Sequence, residues 1–226
     1  MARREGDPAA DGLAARVGSA VVLVPVVLAA VHLGTPVFDG LVGIAALVLA
    51  WEWNRLCGGR LGWLAVGFLA IALPCVSLLY LRGDPAAGAE TLFWLLAVVW
   101  SADTGAFAFG RLIGGPRLAP VISPNKTWSG LIGGIASAGA MGGATALVLG
   151  LDGVMALAGW SAAIGAISQG GDLTESWVKR HFGVKDTGNI VPGHGGLLDR
   201  VDGLLAAAIA VAVVTAAGKG SILTWT

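Results

Sequence analysis

Residues 61–81 read LGWLAVGFLAIALPCVSLLYL and carry no acidic or basic side chain. A helix of that length is about 30 Å long, the thickness of a bilayer's hydrocarbon core. The run reads as a transmembrane helix, and on either side of it the pattern repeats. Apolar runs at 17–36, 41–57, 91–110, 128–150, 153–171 and 202–217 give seven spans in all, the second and last being short. Composition agrees: 56% of the 226 residues are hydrophobic and 12% charged, against about a quarter charged in a soluble domain. Mean hydropathy is +0.79. The fold class expected is an all-α, polytopic helical bundle, a single transmembrane domain over 1–226.

Formal net charge is zero, which leaves no basic footprint for nucleic acid. The position of each charge is the informative feature. With the N-terminus cytoplasmic, all of the 14 Lys and Arg residues except Arg82 and Lys219 fall in cytoplasmic segments. This bias predicts an inside N-terminus and an outside C-terminus. The first run is preceded by Glu5, Asp7 and Asp11 and followed by no A-x-A site, so it reads as an uncleaved span. Cys57 and Cys75 have no metal-ligand spacing and read as small buried hydrophobes. Trp51, Trp53, Trp100, Trp128, Trp160 and Trp225 stand near span ends, as interfacial belts require. In the fifth span, Gly130 with Gly134 and Gly139 with Gly143 form small-xxx-small pairs, which could serve packing within the chain or a homodimer interface.

One stretch breaks the apolar pattern. Gly171–Gly203 reads GDLTESWVKRHFGVKDTGNIVPGHGGLLDRVDG and holds Asp172, Glu175, Asp186, Asp199, Asp202, Lys179, Arg180, Lys185, Arg200 and two of the three histidines. Charges this dense beside lipid are costly and mark a site. Asp172 closes the sixth span and Asp199 and Asp202 open the seventh. With Glu52 and Asp103 they converge, on this topology, in one polar cavity open to the cytoplasm. Facing carboxylates repel unless a cation lies between them. All-oxygen ligands favour a hard cation such as magnesium, usually shared with substrate phosphates. Asp172 and Asp199 lead that set, with Asp202 and Asp103 beside them; the competing reading pairs Asp199 with a neighbouring base. Lys179, Arg180, Lys185 and Arg200 are placed to stabilise charge in phosphoryl transfer. His194 lies between glycines, where the backbone can approach a ligand. At 123–130, SPNKTWSG resembles a helix start at Ser123-Pro124, with Asn125, Lys126 and Thr127 as donors near a helix N-terminus.

From Ser176 to Asp202 the chain resembles the signature of the phosphatidate cytidylyltransferases, or CDP-diacylglycerol synthases. The matching residues are Ser176, Lys179-Arg180, Lys185-Asp186, Pro192, His194-Gly195-Gly196, and Asp199-Arg200 with Asp202. Gly171-Asp172, the Asp103 segment and the block at 123–128 also look like the family, so the likeness covers most of 100–203. Two positions depart from it: Ser129 stands where many relatives carry Glu, and Gly203 where many carry Ser.

The resemblance implies a reaction of CTP with phosphatidate that yields CDP-diacylglycerol and pyrophosphate and requires magnesium, alone or with potassium. It implies metal binding at Asp172 and Asp199. It implies catalytic roles for Lys179, Arg180, Lys185, Asp186, His194 and Arg200, and substrate contacts from Ser123, Asn125, Lys126, Thr127, Ser176, Gly195 and Gly196. A bacterial inner membrane, with the site facing the cytoplasm, is the location that fits. The alternative from the residues alone is an ion-coupled transporter, since buried acids and glycine-interrupted spans also mark transport.

Overall fold

A computed structural model describes residues 8–188, 190, 195–218 and 220–225, with side chains from residue 21 onward. Seven helices answer the seven apolar runs: α1 (Pro8–Leu33), α2 (Val37–Cys57), α3 (Leu61–Arg82), α4 (Gly88–Leu112), α5 (Trp128–Leu149), α6 (Val154–His181) and α7 (Leu198–Gly218). Five of them, α2, α3, α4, α5 and α7, are long and apolar enough to cross a membrane. The protein is a polytopic helical membrane protein.

Three differences from the sequence expectation bear on the charged stretch and its surroundings. The sixth apolar run ends at 171, yet α6 continues to His181. Loss of hydropathy marks where lipid would end, not where backbone hydrogen bonding stops. Asp172, Ser176, Lys179 and Arg180 are therefore helical and not in a loop. Likewise α7 begins at Leu198, ahead of the run at 202. The third difference lies at Ser123, expected to start a helix: Ser123–Thr127 is strand β2, paired antiparallel with β1 (Arg117–Ala119). The helix start is Thr127, whose side chain accepts from Gly130 N–H at 3.1 Å and caps α5.

Small residues set the packing. A Cβ on Gly134 would lie 2.7 Å from Ala102 O of α4, and one on Gly130 would lie 2.8 Å from Ala106 O. Gly142 meets Leu157 O and Ser161 of α6 in the same way. Backbones this close gain dispersion contacts that lipid cannot replace. Gly139 and Gly143 face α6 more loosely, against Ala158 and Ala162 or Val154. Both glycine pairs are thus occupied within the chain. A larger core joins all seven helices around Leu95, Val98, Ala102, Ala138, Leu157, Ile164 and Val211. A smaller one gathers Leu49, Trp53, Cys57, Ile71, Val178 and Leu198.

Trp53 is a correction to the interfacial belt: it is 6% exposed and donates from Nε1 to Trp63 O at 2.7 Å. Trp51, Trp100, Trp128, Trp160 and Trp225 are exposed as expected. Cys57 is buried and Cys75 half-buried, and neither is in a disulfide. At one end of the bundle lie the C-termini of α2, α4 and α6, the N-termini of α3, α5 and α7, and the β1–β2 hairpin. The charged stretch is at this end.

Candidate functional site

A pocket of about 730 Å³ opens at that end, between the C-terminal half of α4, the hairpin, the start of α5, the C-terminal half of α6 and the first turns of α7. Of the residues singled out from sequence, Asp103, Asn125, Lys126, Thr127, Asp172, Lys179, Asp186, Asp199, Arg200 and Asp202 line it. They come from positions up to 99 apart by the fold alone. Asp103 lies nine residues before the end of α4 and so about 13 Å inside it.

Polar neighbours hold the carboxylates apart. Asp172 Oδ2 pairs with Lys126 Nζ at 2.6 Å, while Oδ1 accepts from Ser176 Oγ at 3.3 Å. Asp103 Oδ1 accepts from Gln169 Nε2 at 3.0 Å. Asp202 Oδ1 accepts from Gly203 N–H at 2.7 Å. Asp199 is far more engaged. Its Oδ1 lies 2.6 Å from Lys179 Nζ, and its Oδ2 accepts from Thr187 N–H, Thr187 Oγ1 and Gly196 N–H at 2.9, 3.0 and 2.8 Å. Lys179 is also paired, one turn back, with Glu175 Oε2 at 2.5 Å. The ion-pair reading of Asp199 is the arrangement seen.

Other expected site residues lie elsewhere. Arg180 is exposed and outside the pocket lining; its Nε donates to Ile122 O at 3.2 Å and a terminal nitrogen to Val184 O at 2.9 Å. It ties the hairpin to the turn after α6. Lys185 is exposed and outside the lining, as are the half-buried Ser123 and Ser176. Gly195, with φ +86°, and Gly196 form the turn beneath Asp199. His194 and Pro192 lie outside the described residues. Glu52, expected in the common cavity, does not line it: the carboxylate is buried behind the turn and bonded to Leu197 and Leu198.

The sequence reading passed over several lining residues. Arg111 and Arg117 stand in the lining, where they had counted only as topology charges. Gln169 was legible in retrospect, since it precedes Asp172 by three positions and so shares its helix face. Glu175, inside the charged stretch, is outside the lining and reaches the site through its pair with Lys179. The two departures from the family pattern have local explanations. Ser129 Oγ donates to Gly114 O at 2.5 Å and closes the loop before the hairpin. Gly203 lets α7 approach α6, because a Cβ there would run into Ser168 Oγ.

The donor set fits a hard cation. Asp103, Asp172 and Asp202 bring only oxygen to the pocket, and no Cys or Met is among the described residues that line it. Among the described residues no three acidic, His or Cys side chains cluster tightly enough to hold an ion by themselves. A hard cation held here would take the rest of its coordination from substrate oxygens and water, the usual habit of magnesium.

A family model described as "Cytidylyltransferase family" matches residues 58–217. Phosphatidate cytidylyltransferase of Brucella suis biovar 1 (strain 1330) is 51% identical over 173 residues, covering 74% of this chain and 61% of the relative. Phosphatidate cytidylyltransferase of Rickettsia bellii (strain RML369-C) is 35% identical over 210 residues, covering 88% of this chain and 89% of the relative. The chain matches 61% of the length of the Brucella relative.

Proposed function

The chain belongs to the cytidylyltransferase family, and from that premise we propose that it transfers the cytidylyl group of CTP to phosphatidate, giving CDP-diacylglycerol and pyrophosphate. One observation carries this reading. A single pocket, at one end of a lipid-crossing bundle, sets the carboxylates Asp103, Asp172 and Asp202 against the cations Lys126, Arg117, Arg111 and Arg200. A phosphorylated lipid with its tails in the bilayer and a nucleotide arriving from water can meet there.

In this reaction a phosphate oxygen of phosphatidate attacks the α-phosphorus of CTP. The bond from that phosphorus to the β-phosphate's bridging oxygen breaks, and pyrophosphate leaves with the electron pair. The attacking group is already an anion, so no protein nucleophile is needed. Asn125 and Lys126 on the hairpin, Lys126 being paired with Asp172 until a cation takes that carboxylate, line the pocket with Arg111 and Arg117 where the phosphates would bind. Arg200 approaches from α7 and offsets charge on the leaving group. Lys179 is neutralised by Glu175 and Asp199, so it holds the site together and contributes little free positive charge. We assign metal binding to Asp172, Asp202 and Asp103, with Asp199 positioning Lys179 and the 187–196 turn. Magnesium, alone or with potassium, would there neutralise phosphate charge and order the triphosphate.

The charge bias along the sequence and the supply of CTP in the cytoplasm support a pocket facing the cytoplasm of a bacterial inner membrane. Any homodimer uses faces other than the Gly130/Gly134 and Gly139/Gly143 pairs, which pack on α4 and α6. The decisive test is purified protein in lipid nanodiscs with CTP and phosphatidate. Magnesium-dependent release of pyrophosphate together with formation of CDP-diacylglycerol is expected. Absence of both, from protein that remains folded, would reject the proposal.

A further inference from the structure

Glu52 lies on α2, outside the pocket lining and far from the charged stretch in sequence, and its side chain is 0% exposed. A buried carboxylate is costly unless donors surround it. Its donors come from one place. Leu197 N–H donates to Oε1 and Leu198 N–H to Oε2, both at 2.8 Å, and Thr187 Oγ1 lies 3.4 Å from Oε2. Leu197 immediately precedes α7 and Leu198 opens it; the first amides of a helix have no partner inside it. The residues preceding the helix, Gly195, Gly196 and Leu197, offer no side-chain oxygen to cap it. Glu52 supplies that cap from another helix, where a negative charge also favours the helix dipole. The fit is close: a Cβ on Gly196 would lie 2.7 and 2.8 Å from the two Glu52 oxygens.

We propose that Glu52 is a positioning residue for the pocket, fixing the rotation and height of the first turn of α7 and so the aim of Asp199, Arg200 and Asp202. One residue of slip turns a helix by about 100° and moves it 1.5 Å along its axis. Displacements of that size at a reacting centre cost about a hundredfold in rate.

The activity arm of the test rests on the cytidylyl-transfer reading, whereas the exchange arm does not. Amide hydrogen exchange of the 195–199 segment is measured on the full chain in nanodiscs. In Glu52→Gln the shape is kept, but an NH₂ group must face one of two N–H donors. Exchange at Leu197 and Leu198 should quicken at least about tenfold, and kcat should fall at least about tenfold per folded molecule. Leu92→Ala, in the larger core near the other end of the bundle and 1% exposed, should lower Tm at least as much yet keep kcat. Unchanged exchange and kcat in Glu52→Gln would overturn the proposal, as would equal loss of kcat in Leu92→Ala. If Glu52→Gln does not accumulate, Gly196→Ala tests the contact from the other side. If neither accumulates, the wild type decides: slow exchange at both amides supports the cap, and fast exchange refutes it. A wild type inactive toward phosphatidate would reject the functional reading and leave the exchange result to judge Glu52.

Discussion

Lys179 Nζ lies 2.6 Å from Asp199 Oδ1 and 2.5 Å from Glu175 Oε2, so two carboxylates meet its charge before any phosphate arrives. Such a buried arrangement breaks badly when one partner is removed, at roughly 3 kcal/mol or more. Asp199→Asn should therefore lower Tm by several degrees along with turnover, as read by thermal unfolding in nanodiscs. Asp172→Asn and Asp202→Asn should act differently. Each should cut turnover at least about a hundredfold while Tm holds, and residual activity should need more magnesium. If instead Asp199→Asn keeps its Tm and shifts only the magnesium requirement, the roles given to Asp199 and Asp172 must be exchanged. From sequence, the spacing of these carboxylates marked them as one candidate set. It did not single out Asp199 as the partner of Lys179, because that depends on the Thr187 and Gly196 amides that a turn brings to Asp199 Oδ2.

The β1–β2 hairpin and α5 illustrate two kinds of element. The hairpin reaches the pocket with Asn125 and Lys126 and is tied to α6 by Arg180, through the carbonyls of Ile122 and Val184. Arg180→Ala should raise the KM for CTP several-fold and leave kcat within about twofold, since the phosphate donors are retained but less fixed. A collapse of kcat at constant KM would instead assign Arg180 a catalytic role. In α5 the tight and loose glycines separate. Gly134→Ala forces a methyl toward Ala102 O and should cost about 1–3 kcal/mol, seen as a lower Tm. Gly143→Ala meets only ordinary contacts at 3.8 Å and should be neutral. The helices were legible because long uncharged runs admit little else. The hairpin was not, because Ser-Pro before an apolar run also describes a helix start, and only pairing with Arg117–Ala119 decides between them.

Across the whole molecule, the pocket's end of the bundle also carries most of the basic residues, which gives the topology a direct check. A cysteine at position 185 should react with an impermeant thiol reagent from the cytoplasmic side, and one at position 152 only from the other. Labelling of both from one side would remove the seven-span arrangement. The bond between Glu52 and the start of α7 adds a matter of timing. The partners are separated by 145 and 146 positions, so a ribosome adding 5–20 residues per second makes Glu52 roughly 7–30 s before Leu197 emerges. For that interval α2 holds a carboxylate whose final donors have not been synthesised. A chain stopped before α7 leaves that carboxylate without its two backbone donors.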